Sequence, residues 1–89
     1  MMSMFEVYRS KEKAIYPKSD YIDQCLSILQ NDEKNDVEWI EAGEKAPTRQ
    51  VMIDILVGRT KLTNFLWKKS LAIGLGYKSI QEMMGYEND

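Results

Sequence analysis

The chain has 89 residues, 44% of them apolar and 29% charged, with a formal net charge of −2. That length supports a single domain, residues 1–89, with a modest core, so ordinary stability and a possible homodimer are expected. One cysteine and no histidine leave no intramolecular disulfide and argue against a zinc site or a Cys–His nucleophile.

Met4 to Ser10 alternates, with Phe5, Val7 and Arg9 on one side and Met4, Glu6 and Tyr8 on the other, which predicts a short N-terminal strand. Tyr16-Pro17 then breaks any continuing helix, because proline holds its predecessor extended. Ser19 or Asp20 is the expected cap of a helix whose residues Tyr21, Ile22, Cys25, Leu26, Ile28 and Leu29 recur at three- and four-residue spacing. Cys25 falls on that stripe and reads as a small core residue, not a reactive thiol.

Asp36 to Ala42 fits either a strand or a short helix. As a helix capped by Asn35 or Asp36 it would bury Val37 and Ile40, with Trp39 less certain, and Gly43 ends it in either form. Pro47-Thr48 is a good helix start. The residues after it, Val51 to Val57, alternate β-branched side chains as a buried strand would. Helical flanks favour a helix with Val51, Met52, Ile55 and Leu56 inward; a strand would pair with 36–42 as a hairpin.

Gly58 stops that element, and Thr60 is expected to cap a helix ending at Gly74, with Leu62, Phe65, Leu66 and Ile73 down one side. Ser79 to Glu82 reads as a capping box opening a last short helix with Ile80, Met83 and Met84 inward. The expected fold is therefore mainly α, a small α+β domain of helix-turn-helix or winged-helix type with a short N-terminal strand.

Charge is unevenly spread. Residues 1–44 carry a net of −5, residues 45–79 a net of +6, and the last ten a net of −3. Such asymmetry marks a face for a polyanion, or else acidic and basic elements packed side by side. A helix-turn-helix lays its second helix in the DNA major groove with phosphate contacts from its flanks. On that pattern Asn64 reaches adenine, Lys61 and Lys68 reach guanine or phosphate, and Thr63 touches phosphate. Arg49 and Arg59 supply flanking charge, and Trp67, if exposed, lies against a sugar or an unpaired base.

The run IDILVGRTK, followed by GLGYKS and MMGY, resembles the winged-helix domain at the carboxy-terminal end of RecQ-type helicases. In that family a similar apolar-Asp-apolar-Leu-x-Gly turn precedes a basic helix and a Tyr-Gly element follows. The resemblance covers Ile53 to Tyr86; here the order is Gly85-Tyr86, the spacing is longer, and the chain stops where a wing would continue. It implies duplex binding.

Carboxylates are plentiful (Asp32, Glu33, Asp36, Glu38, Glu41, Glu44), but a general acid needs an enclosing pocket to raise its pKa. No catalytic residue, cofactor or metal site is assigned, and the expected protein is not an enzyme. With no signal-peptide pattern and no apolar run of membrane-spanning length, the expected location is cytoplasmic and away from membranes. The leading functional expectation is a small regulatory protein that binds duplex DNA through the basic segment 45–79. The alternative is a phage or mobile-element protein that inhibits a host nucleoprotein or defence machine, in the manner of an anti-CRISPR, by binding a nucleic-acid-binding protein. There Glu38, Trp39, Glu41 and Glu44 would make the contact, with Tyr8, Tyr16 and Tyr21 as further exposed aromatics.

Overall fold

The computed structural model describes residues 18–85. Among them all regular structure is helical: α1 (Ser19–Asn35), α2 (Val37–Ala42), α3 (Arg49–Leu56), α4 (Phe65–Gly74) and α5 (Ile80–Met84). The mainly α class holds. The expected strand at Met4 to Ser10 lies outside the described residues.

α1 is the element that the others lean on; α2, α3 and α4 each pack against it, and α5 packs on α4. Its predicted stripe is the buried one, with Ile22, Cys25, Leu26 and Leu29 in the core. Lys18, not Ser19 or Asp20, occupies the N-cap position and offers no side-chain bond. A missing cap costs about 1 kcal/mol, while each fully buried aliphatic side chain contributes roughly 2 kcal/mol. The stripe outweighs the cap.

Asp36 ends α1 and starts α2. Its N–H donates to the Asp32 carbonyl (2.8 Å), and its carboxylate accepts from the Glu38 N–H (2.8 Å). α2 is the short helix, but it buries Trp39 and leaves Val37 and Ile40 64% and 66% exposed. The expected inward face is thus corrected. Trp39 is the bulkiest apolar group of the segment, and its indole N–H donates to the Ser70 hydroxyl of α4 (3.3 Å), which turns the helix onto that side. Gly43, at φ 70°, closes α2 in the left-handed region where only glycine is unstrained.

Residues 51–57 are helical through Leu56, as favoured. Thr48 caps α3 by accepting from the Val51 N–H (3.3 Å), and Met52, Ile55 and Leu56 are buried. Gln50 bonds Asp54 one turn on (3.0 Å), a pair that only helical spacing makes. β-branched alternation lost because the 52–55–56 stripe matches the apolar face of α1.

The link from α3 to α4 spans eight residues, 57–64, against three or four in a helix-turn-helix. Leu62 is buried from within that link. α4 starts at Phe65 and not after Thr60, because Asn64 is the cap, its side-chain oxygen accepting from the Trp67 N–H (3.1 Å). α4 packs through Ser70, Leu71 and Ala72, which are buried, while Phe65 and Ile73, expected inside, are 63% and 69% exposed.

α4 crosses α1 closely at Gly74, where an added Cβ would stand 2.6 Å from Ile28 Cγ2. After α4 the chain runs through 75–79 into α5, with no wing among the described residues. Ser79 caps α5 by accepting from the Glu82 N–H (3.0 Å). Glu82 answers by accepting from Lys78 N–H (2.9 Å), so the capping box forms one residue wide of its usual reach. Met83 and Met84 are buried and Ile80 partly so, as expected.

Gly74→Ala should destabilise by about 1–3 kcal/mol in urea denaturation, the cost of overpacking, although alanine is the better helix former. Adding Ile28→Ala to that variant should then cost less than Ile28→Ala costs alone in the wild type. By the same measurement Trp39→Ala should cost roughly 3–5 kcal/mol, and Ile40→Ala no more than about 0.5 kcal/mol.

Candidate nucleic-acid interface

Folding sets three cations of the basic segment against carboxylates. Arg49 bonds Asp23 and also the Ser19 hydroxyl (3.3 Å), tying the start of α3 to the start of α1. Arg59 lies 3.5 Å from Asp54, within the turn that closes α3. Lys69 bonds Glu38 of α2 at 2.9 Å, and that hydrogen bond and charge raise the Lys69 pKa above its ordinary value. The side-by-side arrangement of acidic and basic elements is therefore realised at three of the seven cations. Exposed pairs of this kind contribute about 0–1 kcal/mol each, but they remove Arg49, Arg59 and Lys69 as free charges.

Asn64 is engaged at both ends. Its oxygen caps α4, and its amide nitrogen donates to Glu44 (3.0 Å). The expected bidentate contact to adenine needs both of these atoms, so the cap corrects that role. Trp67 is half-buried against the core, and its indole N–H is buried without a hydrogen-bond partner. Lys61 and Thr63 are exposed and Lys68 half-exposed. Lys61 and Lys68 form no ion pair among the described residues.

The Asn64–Glu44 bond and the bond from the Ala46 N–H to Glu33 hold the 43–48 link between the end of α1 and the start of α4. Glu44 is thereby held at Asn64, and Lys45 is the exposed residue that follows it. Asn64 and Lys68 are one helical turn apart, about 6 Å between Cβ atoms. Lys61, three residues before Asn64, and Lys68, four after it, form no ion pair among the described residues. Sequence reading missed Lys45 and the exposure of Phe65. The signal for Phe65 was Asn64 three residues before Trp67, a cap spacing that puts Phe65 in the first turn.

Of the alternative contact residues, Trp39 is 1% exposed and cannot reach a partner, which corrects that assignment. Glu38 is paired with Lys69 and Glu44 accepts from Asn64, while Glu41 is exposed. Tyr21 is half-buried and packs on the core; Tyr8 and Tyr16 lie outside the described residues. No group of three His, Cys, Asp or Glu suited to a metal occurs among the described residues. No described helix is long and apolar enough to cross a membrane.

Comparison with protein-family models, with curated proteins and with solved structures finds no match to this chain.

Cys25 is fully buried. Burial pushes its thiol from 9.0 up to about 12, against a hydrogen bond with Tyr21 that pulls it down. A raised native pKa stabilises the fold below the unfolded value and is lost as pH rises from about 9 toward 12. The thiol should therefore react with a chromogenic disulfide reagent at pH 8 only at the rate of unfolding, and at once in denaturant. Rapid reaction of the native protein would show an open α1 stripe.

Proposed function

We propose that this chain is a small, non-enzymatic, cytoplasmic nucleic-acid-binding protein of regulatory type, helix-turn-helix-like in that α4 follows α3, with an extended connection between them. The observation that carries this reading is that Lys61 and Lys68, three residues before and four after the Asn64 cap, form no ion pair among the described residues. Cations left without a carboxylate partner are what phosphates displace counterions to reach. The contact is to backbone first, since Asn64, the adenine reader of the set, serves the fold. Thr63 adds a hydroxyl at the same place.

A labelled oligonucleotide titrated by fluorescence anisotropy should bind at low salt and weaken linearly on a logarithmic salt scale. Lys61→Ala and Lys68→Ala should each lower that slope by about 0.7–0.9. Glu44→Gln, which keeps an acceptor for Asn64 and removes a like charge, should tighten binding. If neither a duplex nor a single strand binds at low salt, the reading fails.

A second reading is favoured by the outer face of α2, where Val37 and Ile40 are 64% and 66% exposed beside Glu41. Exposed apolar side chains grouped with charge mark protein contacts. On this reading the chain is a phage or mobile-element inhibitor of a host nucleoprotein or defence machine, and the face meets that machine's nucleic-acid-binding protein. Stoichiometric co-purification lost in Ile40→Asp and Glu41→Lys, and kept in Lys61→Ala and Lys68→Ala, distinguishes it. Self-association through the same face would appear as a homodimer in sedimentation.

A further inference from the structure

We infer that the start of α4 is built for an unpaired nucleic-acid strand, with Phe65 as the stacking platform and Lys61 and Lys68 holding the flanking phosphates. The inference rests on the nucleic-acid reading above and names its substrate class. Phe65 is the first residue of α4 and 63% exposed, although α4 has half-buried Leu66 and Trp67 beside it. An aromatic ring left in water on a helix whose neighbouring apolar groups are sheltered is available as a flat contact surface. Lys68 and Lys69 stand three and four residues on, which places both next to the ring on the helix surface. Lys61 precedes it by four residues in the link. Lys69 is drawn to Glu38 of α2 (2.9 Å), so Lys68 is the cation left beside the ring on α4, and Lys61 is the exposed cation of the link that leads to it.

A surface ring between cations is the arrangement that binds single strands, because every base has a face to stack and the backbone carries charge on either side. Paired bases inside a duplex present edges, not faces. The edge reader that a duplex would need, Asn64, donates to Glu44 and accepts from the Trp67 N–H. Trp67 is not the platform, because its indole lies against the core with the N–H buried. Exposure and charge therefore select Phe65 and a strand, with DNA and RNA sharing the chemistry.

The test is anisotropy at low salt with labelled oligo-dT and oligo-rU of about twelve nucleotides, within the span of a single-strand site, and with a duplex of the same length. Single strands should bind at least about tenfold more tightly than the duplex. Phe65→Ala should weaken strand binding roughly 5- to 150-fold, the range set by one lost base stack. Phe65→Tyr should bind as the wild type does. Phe65→Leu, equally apolar but without a ring face, should fall with alanine. The exposed site makes these variants safe for the fold, which far-UV circular dichroism checks. Duplex binding equal to or tighter than strand binding overturns the inference and leaves the nucleic-acid reading standing, as does wild-type binding by Phe65→Leu. Absence of binding to every probe overturns both.

Discussion

The apolar stripe of α1 is the constraint on which the rest depends. Three helices have no common partner except that stripe, and each meets a different stretch of it. At its far end the crossing with α4 is so close that position 74 has no room for a side chain. Without α1 the short helices would have nothing to bury against, since pieces of five to ten residues are not stable alone in water. α2, α3 and α4 are helices because α1 accepts their apolar faces, and only secondarily because their sequences prefer the form.

That dependence explains what was legible in the sequence and what was not. α1 could be read directly, since six apolar residues at helical spacing leave no other period. α3 was legible only through its flanks: Val51, Ile53, Ile55 and Val57 alternate like a strand, and the packing of Met52, Ile55 and Leu56 on α1 decides otherwise. α2 was misread in its facing, because two aliphatic residues three apart suggest an inner face and a single tryptophan overrules them. Trp39 is the largest side chain of the segment, is 1% exposed, and its N–H has a hydroxyl to meet. At α4 the error was one of phase. Thr60 and Asn64 are both plausible caps, and with the later one Lys61 to Thr63 fall in the link, while the helix turns Ser70, Leu71 and Ala72 inward.

Phase also governed the site. The charge asymmetry between 1–44 and 45–79 is real in sequence and largely cancels in space, since Asp23, Asp54 and Glu38 meet Arg49, Arg59 and Lys69. No one-dimensional charge count can show which cations find partners. Lys61 and Lys68 were identifiable as candidates from their helical neighbourhood. Lys45 was not, because its neighbour Glu44 reaches the start of α4 only through the Asn64–Glu44 bond, a contact twenty residues apart in the chain.

The junction at Asp36 bears on the order in which the molecule assembles. One residue separates α1 from α2, so bringing those two helices together closes almost no loop and costs little chain entropy. The entropic barrier falls instead on the Trp39–Ser70 contact, which spans thirty-one residues. Local contacts of the first kind favour early formation, and long-range ones of the second kind set the rate. In this chain one residue ends the first helix with its N–H and begins the second with its carboxylate, so the tryptophan three residues on is tied to α1 by local contacts alone.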